Sequence, residues 1–501
     1  DSNSYTLHIT NAKDLSGLPQ DVVNAAREEA QSRGLEGWVF TLAYPSYGPF
    51  ITYADNRDLR EQMWRAYNSR GNRGGETDNN EIIRQMVDLR YQTAKLLGYS
   101  NYTEYVLKER MAETPENLAK FLEGLLNSCR EPAMRDLMDV QRFATKQGLK
   151  GAIQRWDFSY YSEKLKKQTY DFDAELLRPY FQLEKVRQGI FDLYGRLYGL
   201  SFVEAQNIEV YHPDVKVYEV YDGSRFMGML YLDMFPRESK RSGAWMTEFR
   251  AQSNIGGNQI RPLIQVVCNF SKPVGNKPAL LSFDEVETFM HEFGHAMHGM
   301  LSDVTYPSIS GTSVYRDFVE LPSQVMENWC YESQFLNTFA RHYETNDTIP
   351  GEYIEKIKSS EKYMAGWLCL RQLCLGMVDM SFHSQSQHLD MPIEEFERNH
   401  MVELLPPVPG CNTSTAFTHI FAGGYAAGYY GYKWAEVMSA DCFGAFEEAG
   451  LGDDAAMRRL GAKYRETVLA LGGSKSALEV FREFRGRDPE IKALLRQQDL
   501  I

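Results

Sequence analysis

A chain of 501 residues is long enough to bury a large core and to divide into more than one domain. Hydrophobic residues make up 43% and charged residues 24%, an ordinary balance for a soluble globular protein. The net charge of −14 argues against nucleic acid or an anionic membrane as the main partner, and no run of 18 apolar residues predicts a membrane span.

In chain order, the first strong helix is marked by Ile82, Ile83, Met86, Leu89, Leu96 and Leu97 at a helical period. Asn79 or Asn80 is its expected cap and Gly98 its stop, and the polar, glycine-rich stretch 69–80 before it reads as a loop or linker. Thr114-Pro115-Glu116 opens another helix, with Thr as cap, Pro in the first turn, and Leu118, Phe121, Leu122 and Leu125 on one face. Segments 175–200, 351–380 and 476–497 carry similar patterns. From Ile208 to Phe270 a β signal takes over: Val215, Val217 and Val220 run into a turn at Asp222-Gly223, Phe226 to Phe235 follow, and Leu263 to Phe270 make a further strand. The chain therefore reads as mainly α with a small β-sheet. Its seven cysteines are scattered and form no CxxC, so neither a disulfide framework nor a cysteine zinc site is expected, and most read as small buried apolar residues.

Ser282-Phe283-Asp284-Glu285 is a capping box directly after the last strand. The helix it starts carries His291-Glu292-Phe293-Gly294-His295, an HExxH motif. Histidines one turn apart leave the same face, a separation that suits two nitrogens each about 2.0–2.1 Å from one zinc ion. Glu292, next to the first histidine, is beside the metal without binding it and is placed to take a proton from water. The bland alternative is a helix with two unrelated histidines. A catalytic site of this kind needs a third protein ligand and one open position. His298 does not qualify, because it lies about 10.5 Å along the helix from His291. The metzincin pattern also fails, since it needs Gly at 298 and His at 301, where this chain has His298 and Leu301. A downstream carboxylate on a second helix remains; Glu320 is the leading candidate, with Asp303, Asp317 and Glu327 as rivals.

The other unusual stretch runs from His419 to Tyr432. Gly423, Gly424, Gly428 and Gly431 offer backbone freedom, and Tyr425, Tyr429, Tyr430 and Tyr432 offer hydroxyl donors for an oxyanion. Aromatic packing among small residues explains the same composition equally well.

The HEFGHAMH run at 291–298, RDFVELPSQ at 316–324 and FAGGYAAGYYGYKW at 421–434 together closely resemble the thimet oligopeptidase family, peptidase family M3, and in particular its bacterial peptidyl-dipeptidase branch. The resemblance runs over essentially the whole chain and rests on three ordered motifs. It implies a zincin-type (gluzincin) core in a two-lobed helical protein with a deep substrate channel. It implies one zinc ion held by His291, His295 and Glu320, with Glu292 as general base, Tyr425 and Tyr432 as oxyanion donors, and His419 as a further substrate contact. Glu287 and Arg316 match a family ion pair between the two metal helices. The implied organisation is 1–65 as the helical start of the catalytic lobe, 66–168 as a channel-wall lobe, and 169–362 as the sheet and metal core. Segment 363–410 returns to the channel wall, and 411–501 holds the Gly/Tyr loop and the C-terminal helices of the catalytic lobe. The implied partners are short peptides, with release of C-terminal dipeptides favoured over internal cleavage and over an inactive zinc-binding role. A monomer is expected, in bacterial cytoplasm or periplasm. Family chains are longer at the N-terminus, so a missing segment is expected there, and with it a possible dependence on a separately supplied fragment.

Overall fold

The computed structural model describes residues 5–170, 176–237, 239–241, 243–270, 272–273, 277–402 and 404–501. Its contacts divide the chain into two units. The first holds Asp1–Lys108, Glu113–Asp171 and Tyr363–Tyr430; the second holds Glu109–Ala112, Phe172–Lys362 and Gly431–Ile501.

Among its described residues the first unit is helical apart from a two-stranded ribbon, in which β1 (Thr6–Ile9) pairs antiparallel with β2 (Trp38–Thr41). The Thr114 cap behaves as its sequence dictates: its side chain accepts from the Asn117 amide, and the helix runs Pro115–Lys146 with Pro115 in the first turn. The Asn80–Leu96 helix also forms, after Asn79, and Gly98 takes a left-handed φ of 87° just beyond it. Its burial differs from expectation. Ile83 and Val87 are buried, whereas Ile82, Leu89, Leu96 and Leu97 are exposed, so most of the anticipated apolar face points away from the core.

Two expected boundaries move. Residues 1–65 belong to the first unit, because Arg57 and the buried Arg60 both bind the fully buried Asp157 carboxylate on the Arg155–Tyr170 helix. The break expected at 410 falls instead at Gly431, because the Gly/Tyr loop is tied to the Ala365–His383 helix. One cysteine pair goes beyond the sequence reading: Cys129 and Cys369 form a disulfide between the Pro115–Lys146 and Ala365–His383 helices, with Cα atoms 6.3 Å apart. Cys268, Cys330, Cys374 and Cys442 are buried, as anticipated.

The second unit is built on a five-stranded sheet ordered β3-β4-β5-β9-β6. Here β3 is Leu200–Glu204, β4 Lys216–Asp222, β5 Arg225–Asp233, β6 Trp245–Arg250 and β9 Leu263–Val267; β7 (Ser253–Ile255) and β8 (Asn258–Ile260) form a separate ribbon. Asp222-Gly223 turns the β4–β5 hairpin as predicted, and β9 lies parallel to β5. The predicted strand Leu263 to Phe270 persists beyond β9, since the Cys268 and Phe270 amides donate to the Asp233 and Met234 carbonyls at 2.9 Å. β9 is an interior strand, with β6 on its other side. The helix expected over 175–200 spans Leu183–Tyr198, and residue 175 lies outside the described residues. Its Phe191 and Tyr194 rings lie 5.8 and 4.9 Å from the ring of Phe293, a fully buried residue inside the HExxH motif. Burying that ring contributes about 1.5–3 kcal/mol and anchors the motif's helix to the core. No described helix is long and apolar enough to cross a membrane.

Candidate metal centre

The helix Phe283–Leu301 starts at the predicted capping box: Ser282 Oγ accepts from the Glu285 amide at 3.2 Å, and Glu285 Oε2 accepts from the Ser282 amide at 2.8 Å. One turn apart on it, the His291 and His295 rings stand edge to face with centroids 4.8 Å apart. Glu320 comes from the residue that caps the next helix, Leu321–Glu327, with Pro322 in the first turn where no amide partner is lost. The two helices approach closely because the motif has glycine at 294: a Cβ there would stand 2.5 Å from Ser323 Cα and 3.0 Å from the Pro322 carbonyl oxygen.

The result is a compact donor set. Glu320 Oε2 lies 3.4 Å from His291 Nε2 and 3.2 Å from His295 Nε2, and one ligand atom from each residue falls within 4.8 Å of the others. His291 Nδ1 is engaged from behind by Glu327 Oε1 at 2.5 Å, which fixes the ring with Nε2 toward Glu320. Burial opposes a charged His291, but hydrogen bonds to Glu320 and Glu327 outweigh it and lift the imidazole to about 10. Burial likewise opposes a charged Glu320, and hydrogen bonds to both histidines hold its carboxyl well below the usual range. Two imidazole nitrogens and one carboxylate oxygen, one ring braced by an outer carboxylate, form a donor set that fits a divalent metal ion.

The rivals for the third position have other work. Asp317 accepts from the Met111 and Ala112 amides at 3.1 and 3.3 Å, and Asp303 faces Arg225 at 3.8 Å. Glu327, weighed as a ligand, is the carboxylate behind His291. His298 is fully buried with neither ring nitrogen hydrogen-bonded among the described residues, and burial pushes it down to about 3. Glu292 is 7% exposed, and burial raises its carboxyl despite the opposing pull of His291 and His295. Glu287 accepts from the Tyr331 hydroxyl at 2.8 Å.

His419 and Tyr425 lie together in the first unit, with ring centroids 6.2 Å apart and the Tyr425 amide donating to the His419 carbonyl at 3.0 Å. His419 is exposed and Tyr425 half-buried. Tyr432 belongs to the second unit, on the helix Gly431–Ala449, whose first residue packs against Asp317 (a Cβ there would lie 3.3 Å from its Cα). Within the loop, left-handed backbone occurs at Gly424 and at Ala427, where φ is 50°.

A residue missed from sequence holds that turn. The Asp379 carboxylate is fully buried and accepts from the Ala427, Gly428 and Tyr429 amides, each at 2.9 Å. His383, one turn along the same helix, places Nδ1 2.8 Å from Asp379, and its Nε2 meets Arg90 at 2.7 Å. An Asp and a His four apart in the last two turns of a largely apolar helix were the available signal.

Two histidines on a helix packed against a mixed sheet, joined by a glutamate that caps the following helix and with a buried glutamate next to the first histidine, define a zincin-type metallopeptidase fold. The chain belongs to peptidase family M3, whose sequence profile matches residues 50–500. It is 39% identical over 501 residues to oligopeptidase A of Escherichia coli K12, covering 98% of this chain and 73% of that one. It is 43% identical over 517 residues to a probable cytosolic oligopeptidase A of Arabidopsis thaliana, again covering 98% and 73%. The dipeptidyl carboxypeptidase of E. coli K12, from the branch the motifs singled out, is 34% identical over 506 residues, covering 100% and 73%. Among solved structures, an inhibitor complex of PZ peptidase A aligns with TM-score 0.55 at 17% identity, covering 97% of this chain and 76% of that one. A carboxypeptidase of Pyrococcus furiosus aligns with TM-score 0.53 at 12% identity, covering 98% and 86%. At such identities the likeness is one of fold.

Proposed function

We propose that the chain hydrolyses short peptides with one zinc ion held by His291, His295 and Glu320. The observation that carries this reading is the single oxygen, Glu320 Oε2, within 3.4 Å of both imidazole Nε2 atoms. Zinc suits two imidazoles and a carboxylate, and when bound it supplies Lewis-acid polarisation of the scissile carbonyl and of water. Glu292 is the general base: its burial raises its proton affinity, so it takes a proton from the attacking water and hands it to the leaving amine. Tyr425 and Tyr432 donate hydroxyl hydrogen bonds to the oxygen on which negative charge grows, each worth about 2.7–4 kcal/mol when well placed. His419 contacts substrate beside Tyr425.

A substrate backbone can add only to a free sheet edge, and β9 has both sides engaged in the sheet. β6 is the edge strand next to it, with one side unpaired in the sheet, and we assign the backbone pairing to Trp245–Arg250.

For the product, the motif resemblance favours release of C-terminal dipeptides. Internal cleavage is a second reading, favoured by the higher identity to oligopeptidase A, 39–43% against 34%. Mass spectrometry of a peptide and its C-terminally amidated form separates them: dipeptide release loses most of its rate on amidation, and internal cleavage keeps it. Glu292→Gln should retain one zinc per chain and lose turnover by at least about a hundredfold. Appreciable residual turnover would remove Glu292 from its role, and absence of chelator-sensitive cleavage would refute the function.

A further inference from the structure

The first unit holds a half-open cavity of about 370 Å³, a size typical of small-ligand sites. Two flat aromatic pairs contribute to its walls: Tyr47 and Tyr67 stack 3.8 Å apart at 9°, and Phe158 and Trp367 stack 4.0 Å apart at 20°. Trp64 and Leu375 also line it and are only half-buried, so apolar surface is left facing the space. The charge is one-sided. Arg155 and Arg371 line the cavity and no described Asp or Glu does, in a chain with 68 acidic and 54 basic residues. Arg155 spends Nε and Nη2 on the Pro406 and Leu405 carbonyls at 2.9 and 3.2 Å. Arg371 is exposed and, among the described residues, has neither an ion pair nor a hydrogen bond. Its charge reaches Tyr47 in the cavity wall and Tyr429 in the Gly/Tyr loop.

We propose that this cavity binds the free C-terminal end of a peptide, with an apolar or aromatic terminal side chain between the aromatic walls and the carboxylate on the Arg371 guanidinium. An apolar ring replaces water against the half-buried walls, and the guanidinium fork matches a carboxylate. A peptide N-terminus is excluded by like charge, and a neutral ligand leaves the cation unanswered. The identity of the ligand rests on the peptide-hydrolysis reading; the cavity and its charge do not.

The test is isothermal titration of the full chain in excess chelator, so that no cation at the metal site contributes. The probes are N-acetyl-Ala-Phe and its C-terminal amide. The acid should bind about tenfold or more tightly than the amide. Arg371→Gln, an exposed substitution, should reduce acid binding to the amide level, and Leu375→Trp, which fills the cavity, should remove both. Equal binding of acid and amide, or an unchanged ratio in Arg371→Gln, overturns the site. A zinc-loaded chain that cleaves no peptide yet keeps the ratio overturns the functional reading and supports this site.

Discussion

Gly294 sets how closely the two metal-bearing helices approach, and Gly294→Ala measures what that closeness contributes. A Cβ at this position would stand 2.5 Å from Ser323 Cα, whereas ordinary contact begins near 3.4 Å, so the 322–323 backbone must retreat by about 0.9 Å. Glu320 is carried with it, because Ser323 Oγ donates to the Glu320 carbonyl at 2.9 Å and Glu320 caps that same helix. Zinc ligands tolerate displacements of only about 0.2 Å. The carboxylate therefore misses its position by several times the tolerance, and zinc affinity should fall about tenfold to a hundredfold. Overpacking costs about 1–3 kcal/mol of stability, partly offset by up to about 1 kcal/mol from replacing a helical glycine. Chelator competition with a zinc-sensitive dye gives the affinity and thermal melting gives the stability. Gly351→Ala, where an added Cβ meets nothing within 4 Å, is the control. Zinc affinity within twofold of wild type in Gly294→Ala would refute the argument that glycine places Glu320.

Asp379→Asn halves the acceptor capacity beneath the Gly/Tyr loop and removes the charge that strengthens the three amide bonds to it. Turnover should drop at least tenfold while zinc content stays at one per chain, and a drop in zinc content instead would place Asp379 in metal binding. Glu327→Gln weakens the partner of His291 Nδ1. It should lower zinc affinity by about tenfold to a hundredfold with little change in melting temperature, read by the same dye competition. Glu248 supplies a pH signature. Burial raises its carboxyl to about 7, so between about 4.5 and 7 the folded chain holds a proton that the unfolded chain has lost. The burial cost is absent at low pH, grows as pH rises through that window and is complete above it, amounting to about 1–3 kcal/mol. Glu248→Gln should raise the melting temperature at pH 8 and leave it nearly unchanged at pH 4.5. Equal effects at both values would contradict the assignment.

Local chemistry was legible from the sequence, and long-range partnership was less so. The Ser282 capping box, the histidines one turn apart and the Asp222-Gly223 hairpin each depend on a few neighbouring residues, and the structure reproduces all of them. Glu320 emerged from spacing as the leading candidate, but its preference over Asp317 and Glu327 needed the family resemblance. The close approach at Gly294 that places it is a packing fact without a local pattern. Periodicity found the Asn80–Leu96 helix yet mistook which face is buried, because Ile82, Leu89 and Leu96 satisfy the same period as Ile83 and Val87. The apolar run Leu263 to Phe270 marked a strand, but whether a strand lies at an edge depends on β6, whose own signal was merged into one β region. The Cys129–Cys369 bond joins residues 240 positions apart, a pairing that no spacing rule could find.

The metal-site helix is located by close packing on several sides, each independent of a bound ion. Gly294 lets it meet the helix that begins after Glu320. Gly299, farther along, lets it meet the β6–β9 part of the sheet, where an added Cβ would come within 2.7 Å of Glu248 Oε1 and 2.8 Å of Ile264 Cδ1. Gly311 closes over the same point from the following turn, with a would-be Cβ 2.7 Å from Gly299 Cα. Phe293 fills the aromatic core between Phe191 and Tyr194. A helix held this closely has little room to slide or rotate, so packing orients both histidines and Glu327 adds a brace at His291. Preorganisation of this kind keeps the ligand set in place through changes in charge at the centre. It also explains why the one ligand drawn from another helix, Glu320, is the one whose position depends on a single glycine.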